Sequence, residues 1–343
     1  MNKTYVIAEM AWAHDGSIEK AIKILHGAKV TGANAVSIHV TDMPTYMVPY
    51  YGRGEGKVSA GREHLDIYKY LERINLSCEN WKSFALEARK LNIDLCVMAN
   101  DMISLNFAKK ELNPKYFVIS AASFIETDFV IKVAQCDCPT LFRIGGATLG
   151  EIEQTIGVFR QHSQAEIVLL HGFQNYPTKI EETNLYQLNA LKEMFGVSVG
   201  LADHIDGGHI DAQIMPLLAI PLGATYIEKH ITFDRNEKGE DFESALGLAD
   251  FKQFVGFVRD AELVLGVKNW SALSPATLRY RGVSRKKIVA ARNIEKDKAI
   301  EKSDVVFKRS DVGLQPDQLG YIIGRRTSEN IQENDAITLE KLV

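Results

Sequence analysis

Two short stretches, VSVGLADHIDGG (Val197–Gly208) and YIEKHITFD (Tyr226–Asp234), decide the fold of this chain. Each begins as an apolar strand and ends in charged groups with one histidine, His204 in the first and His230 in the second. A single histidine at a strand end is more often a structural residue than a ligand. Two histidines predict a shared site if their strands are neighbours in the sheet. The rest of the sequence must therefore show whether these two strands are adjacent.

Short apolar runs alternate with helical patterns up to about residue 266. Eight strand–helix units are the number that closes an α/β (β/α)8 TIM barrel. A doubly wound open sheet is the alternative, but it usually has fewer strands, and no GxGxxG motif follows the first strand. The eight predicted strands are TYVIAEM, AVSIHV, IDLCVMA, KYFVIS, TLFRI, EIVLLH, VSVGLA and TYIEKH.

Closure of a barrel makes the seventh and eighth strands neighbours and places the first strand beside the eighth. Glu9, His204 and His230 then gather at one end of the barrel. In such barrels the chemistry takes place on the loops at the carboxyl ends of the strands. The three polar residues therefore predict a functional site rather than a packed core.

Composition excludes several other classes of protein. The chain has 343 residues, 46% of them hydrophobic, and a formal net charge of −4 without long runs of one sign. This argues against a nucleic-acid or membrane-surface partner, and no segment is long and apolar enough to predict a membrane span. The four cysteines fit neither a zinc ribbon nor a CxxC redox motif. We expect a cytoplasmic protein with reduced thiols.

The last part of the chain predicts a different unit. Residues 267–283 lack a regular hydrophobic period, which indicates a linker between a barrel domain (1–266) and a small, mostly β module (284–343). Within the module, NIEKDKAIEKSDV (Asn293–Val305) is echoed by NIQENDAITLEKL (Asn330–Leu342). Arg309 in VVFKRSDVG is placed where it could reach an anionic substrate.

These landmarks together resemble the sialic acid synthase family, in which a TIM barrel precedes a small antifreeze-like (SAF, β-clip) domain. IAEMAWAHDGSIEKAIKILHGAKVTGANAV is similar to the opening strand and helix of that family, with Glu9 at its acidic position and His14 in its Asn-His pair. HGFQNYPT, GLADHIDGG, EKHITFDRNEKGEDFESALG and the C-terminal VAARNIEKDKAIEKSDVVFKRSDVG follow in the same order. The resemblance covers nearly the whole chain.

The resemblance implies an enzyme that joins phosphoenolpyruvate to an N-acetylmannosamine-type sugar to give a nonulosonic acid. It implies a divalent metal on His204 and His230, with manganese first and magnesium, cobalt or zinc as alternatives, and catalytic roles for Glu9, Asp203 and Asp241. It also implies a domain-swapped homodimer in which Arg309 reaches the other subunit's site. The candidate substrate-binding residues are His39, Ser120, Arg143, Gln174, Tyr176 and Arg309.

The donor subsite departs from the family pattern. Two lysines grip phosphoenolpyruvate in the family, and our alignment places Ser37 and Phe117 at their positions and Ala99 at a threonine position. Arg143 and His39 are candidate replacements, because a guanidinium can bind a carboxylate or a phosphate in bidentate fashion. The alternative is that Arg143 pairs with a nearby carboxylate and has a structural role rather than binding the anionic donor.

Three interpretations remain open at this point. The chain is a nonulosonic acid synthase with a relocated donor site, or it applies the same metal and sugar site to another donor or reaction, such as aldol or isomerase chemistry. The third interpretation is a non-catalytic subunit, against which the two histidines argue. The sequence does not identify the acceptor sugar, the donor or the metal.

Overall fold

A computed structural model of the chain describes residues 3–52, 64–172, 175, 177–266 and 272–343. The chain divides into two compact units, residues 1–266 and residues 267–343. Within the described ranges, no helix has both the length and the apolar character needed to cross a bilayer.

The first unit is a closed barrel of eight parallel strands, in which each strand pairs with the next and β8 pairs with β1. This confirms the predicted TIM barrel and excludes the open sheet. The strands are β1 (Tyr5–Ala11), β2 (Ala35–Val40), β3 (Asp94–Ala99), β4 (Tyr116–Ile119), β5 (Thr140–Arg143), β6 (Ile167–His171), β7 (Ser198–Asp203) and β8 (Tyr226–His230).

Helices surround the barrel, and local signals set their ends. The first begins where Ser17 Oγ accepts a hydrogen bond from the backbone N–H of Lys20, and it ends at Gly32, whose φ of 89° suits glycine. The helices of this unit are α1 (Ile18–Thr31), α2 (Met43–Tyr46), α3 (Ile67–Ile74), α4 (Cys78–Lys90), α5 (Met102–Phe107), α6 (Thr127–Ala134), α7 (Leu149–His162), α8 (Gln187–Phe195), α9 (Asp211–Ile214) and α10 (Leu248–Leu265). Shorter turns are a π-helical turn (Ala108–Leu112) and 3₁₀ turns at Ile180–Glu182, Met215–Ala219 and Arg235–Glu237.

Alternate residues of each strand supply two separate apolar layers. The outer layer lies between the strands and the helices and contains the side chains of Phe117 and Ala99. The inner layer fills the barrel and contains Val118 and Met98. Phe117 and Ala99, which our sequence reading placed at donor-binding positions, therefore face the helices and not the barrel interior, because successive side chains of a strand point to opposite faces.

The second unit contains helix α11 (Pro275–Ser284) and an antiparallel pair of strands, β9 (Lys286–Ala290) and β10 (Val305–Arg309). The predicted linker is thus partly helical; residues 267–271 of it lie outside the described residues. Isoleucines dominate the core of this unit. Its 3₁₀ turns are Lys302–Asp304, Pro316–Tyr321 and Leu339–Lys341.

The internal echo of the second unit corresponds to a local two-fold relation. The equivalent residues Ile294 and Ile331 exchange backbone hydrogen bonds of 2.8 Å in both directions. Asn330 Oδ1 accepts from the backbone N–H of Lys296 at 2.8 Å, and the equivalent Asn293 Oδ1 accepts from that of Glu333 at 2.8 Å. The repeated sequence therefore encodes two half-units that complete each other.

We predict that Gly200→Ala destabilises the barrel. A Cβ atom at Gly200 of β7 would lie 2.7 Å from atoms of Leu170 and Tyr226, including the Tyr226 carbonyl oxygen. Overpacking of this kind costs about 1–3 kcal/mol in the free energy of unfolding, measurable by urea titration. The control is Gly157→Ala in α7, where nothing lies within 4 Å. That change should be neutral or stabilising, and equal effects of the two substitutions would contradict the packing argument.

Candidate active site

Two histidines meet at the carboxyl ends of β7 and β8. The ring centroids of His204 and His230 lie 5.0 Å apart with an interplanar angle of 51°. Glu9 of β1 is the ladder partner of His230. All three side chains are buried. The structure thus brings together the three residues that the two opening stretches and the first strand predicted to be close.

Arg143 of β5 reaches across the barrel interior to the opposite wall. Its Nη2 atom lies 2.6 Å from Glu9 Oε2 and 2.6 Å from Glu228 Oε1 of β8. These side chains are between 0% and 3% exposed. One guanidinium therefore joins β5 to β1 and β8 inside the barrel.

The charges of this cluster nearly cancel. Burial would raise the pKa of Glu9, but the Arg143 guanidinium and His39 hold it well below its usual range. Burial raises the pKa of Glu228 to about 7, against the lowering effect of Arg143 and with a further rise caused by Glu9. Arg143 is thus already compensated by carboxylates, which removes the main reason to expect that it binds a substrate anion.

The two histidines are neutral imidazoles at physiological pH. Burial is the main cause that lowers the pKa of His204, and the neighbouring His230 and Arg143 lower it further. Burial likewise lowers the pKa of His230 to about 3, although Glu9 opposes the shift. A neutral imidazole is the form that binds a metal ion.

Asp203 does not face the site, so its predicted catalytic role is corrected. Its neighbour Ala202 belongs to the inner layer, and the Asp203 side chain therefore points outward from the barrel. There its Oδ2 atom accepts from Lys229 Nζ at 2.6 Å, and both side chains are buried.

Asp241 lies on the loop after β8, with Oδ2 4.0 Å from His230 Nδ1. Its φ of 60° is in the left-handed region, so the loop holds it in a conformation that few residues adopt freely. Of the predicted catalytic carboxylates, Asp241 is the one that lies at the edge of the histidine pair.

The remaining predicted residues have different positions. His39 Nε2 lies 3.3 Å from Glu9 Oε1, at the end of β2. Ser120 follows β4, and its Oγ accepts from the backbone N–H of Ser123 at 3.3 Å. Arg309 belongs to the second unit, where it donates to the Val283 carbonyl at 3.0 Å. Gln174 and Tyr176 lie outside the described residues.

Sequence reasoning missed Glu228 and Lys229, although the signal was present. Because strand side chains alternate, YIEKH places Glu228 on the same face as His230 and Lys229 on the opposite face. Glu228 therefore had to face the barrel interior, where a lone carboxylate needs a cation. Arg143 is the strand cation that also faces inward.

The candidate metal-binding groups at this site are two histidines and one neighbouring carboxylate. Among the described residues, no group of three histidine, cysteine or acidic side chains is arranged closely enough to hold a metal ion. His204 and His230 could supply two neutral nitrogen ligands, with Asp241 close to the second. Such a site leaves coordination positions for water or substrate.

Fold and site define a class: a (β/α)8 barrel with a histidine pair at the carboxyl ends of β7 and β8, followed by a small β unit. Residues 24–269 match the NeuB family and residues 285–343 match the SAF domain. The chain therefore belongs to the NeuB family, which confirms the resemblance to sialic acid synthases.

Relatives match over nearly the full length. The chain is 30% identical to the pseudaminic acid synthase of Campylobacter jejuni subsp. jejuni serotype O:2, over 98% of this chain and 95% of that protein. It is 27% identical to the N,N'-diacetyllegionaminic acid synthase of Legionella pneumophila, over 98% and 94%. The crystal structure of N-acetylneuraminic acid synthetase from Leptospira borgpetersenii superposes with a TM-score of 0.71 at 23% identity, covering 82% and 93% of the two chains, and supports the fold.

We predict that Arg143→Met lowers the free energy of unfolding by about 3–5 kcal/mol, because it leaves two carboxylates buried without their cation. Urea titration measures this loss. The triple variant Arg143→Met with Glu9→Gln and Glu228→Gln should recover most of it, since the amides are uncharged. A cost below about 1 kcal/mol for the single variant would show that the cross-barrel ion pairs do not hold the site together.

Proposed function

We propose that this chain condenses phosphoenolpyruvate with the aldehyde of an N-acetylmannosamine-type amino-sugar to give a nonulosonic acid. One observation carries the proposal: two neutral histidines lie 5.0 Å apart at the carboxyl ends of β7 and β8 in a chain whose full-length relatives are named as synthases of such acids. The names of these relatives support an amino-sugar as the class of the acceptor.

We propose that His204 and His230 hold a divalent cation, with manganese the first candidate because imidazole ligands do not favour magnesium. A cation held there would supply Lewis-acid polarisation of the aldehyde carbonyl. The histidines suit this role because burial keeps them neutral. Asp241, beside His230, is placed to bind a hydroxyl or a water molecule at the same site.

Glu9 acts behind the substrate rather than on it. Its two oxygens receive the backbone N–H of Ala11 at 2.8 Å and Arg143 at 2.6 Å, and the side chain is fully buried. His39, which is partly exposed, lies against Glu9. We propose that Glu9 orients His39 and that the His39 ring contacts the substrate.

The compensated Arg143 favours a second candidate function, in which the same metal and sugar site uses a donor with less negative charge in an aldol or isomerase reaction. Arg143 and Lys229 are the only lysine or arginine residues in the eight barrel strands, all of which lie in the described part of the chain. Both are already paired with carboxylates. A donor with two anionic groups must then rely on groups outside the strands.

The decisive measurement is incubation of manganese-loaded protein with phosphoenolpyruvate and a panel of amino-sugars. Release of inorganic phosphate together with an α-keto acid is the expected result. His204→Ala and His230→Ala should each lower bound metal and reduce turnover at least about 100-fold, because the carbonyl loses its polarising group.

His26→Ala is the matched control, since this histidine lies on α1 and pairs with Glu87 at the surface. Its metal content and turnover should equal those of the unmodified protein. Unchanged metal content in both site variants would refute the histidine assignment. Turnover of another carbonyl donor without phosphate release would favour the second candidate function.

We propose that the chain acts as a homodimer in which Arg309 serves the partner's barrel. Helix α11 supports an intermolecular contact, because none of its ten residues is buried and Tyr280 is 71% exposed. Isolated helices shorter than about 12–15 residues are marginal in water, so α11 should gain stability from a covering surface.

The mass in solution should be that of a dimer, and Arg309→Ala should raise the KM for the substrate about tenfold or more without changing that mass. Arg325→Ala in the same unit is the control, because its Nε atom donates to the Val343 carbonyl at 3.4 Å. A monomer with full activity would rule out the partner's contribution.

A further inference from the structure

A buried lysine lies directly behind the histidine pair. Lys229 precedes His230 in β8 and is 0% exposed. Its Nζ atom donates to Asp203 Oδ2 at 2.6 Å and to the Ile205 carbonyl at 2.9 Å. Asp203 and Ile205 are the residues on either side of His204. The Lys229 ammonium group therefore hydrogen-bonds the residues before and after His204. Lys229 itself is the residue before His230 in the chain.

The segments after β6 and β8 hold the backbone carbonyls of the same two histidines. The His204 carbonyl accepts from Ser244 Oγ at 2.7 Å and from the backbone N–H of Thr178 at 2.8 Å. The His230 carbonyl accepts from the backbone N–H of Leu246 at 2.9 Å. Both histidines are thus fixed through their backbones, and Lys229 is the side chain that links the two strand ends.

Stability alone does not account for this ion pair. Two charges buried together lose their hydration, and replacing such a pair with apolar residues of similar volume is often neutral or stabilising. The ladder between β7 and β8, in which Asp203 is the partner of Lys229, already makes the strands adjacent. The ion pair adds a directional link at the point where the ladder ends and the histidines begin.

We propose that Lys229 and Asp203 form a positioning clamp that sets the separation and orientation of His204 and His230 for binding a divalent metal ion. The inference rests on the proposed metal site. Neither clamp residue touches the metal or the substrate. Groups that orient the ligands of a metal typically change its affinity 10–100-fold when they are removed.

The test replaces the clamp with an apolar pair, Asp203→Leu with Lys229→Met. The double variant avoids the unpaired buried charge that would unfold Lys229→Met alone. Its Tm should stay close to that of the unmodified protein, whereas its Kd for Mn²⁺, measured by calorimetry, should rise about 10–100-fold. The visible spectrum of bound Co²⁺ should also change, because it reports ligand geometry independently of turnover.

Arg259→Met is the control, since it removes an ion pair with Glu262 and a bond to the Thr4 carbonyl at the other end of the same barrel. It should leave the Kd for Mn²⁺ and the Co²⁺ spectrum unchanged. Unchanged metal binding in a folded double variant would overturn the clamp. If the unmodified protein binds no metal, both the clamp and the proposed metal site are overturned. If it binds metal but releases no phosphate from phosphoenolpyruvate, only the proposed reaction is overturned.

Discussion

The guanidinium of Arg143 is the interaction on which the site depends. It satisfies Glu9 and Glu228 with a single nitrogen, in an interior where an unpaired carboxylate is costly. Because β5 lies across the barrel from β1 and β8, this contact forms only when the sheet is closed. Removal of Arg143 would leave two carboxylates buried without their cation, so fold and site constrain each other here.

The same cluster decides the polarity of the site. The positive charge of Arg143 is balanced by Glu9 and Glu228, and that of Lys229 is balanced by Asp203. The histidines themselves stay neutral because they are buried. The strand ends therefore offer nitrogen lone pairs and hydrogen-bonding groups rather than net positive charge.

The second unit shows how a repeated sequence can specify its own pairing. Asn293 and Asn330 cap equivalent turns in each other's half. The following Asp297 and Asn334 both adopt positive φ, at 62° and 72°, which short polar side chains tolerate better than most residues. The echo is visible in the sequence because each half needs the same side chain for the same bond.

The sequence by itself determined the eight strands, the candidate site at their carboxyl ends and the separate β unit, because the periods of apolar residues and the strand count are local properties. It also determined the histidine pair, since barrel order makes β7 and β8 neighbours. Tertiary structure alone decided that Phe117, Ala99 and Asp203 face outward, because side-chain direction depends on strand register to a single residue. It also decided that Arg143 pairs with Glu9 and Glu228, since these partners come from distant parts of the chain and meet only when the barrel closes.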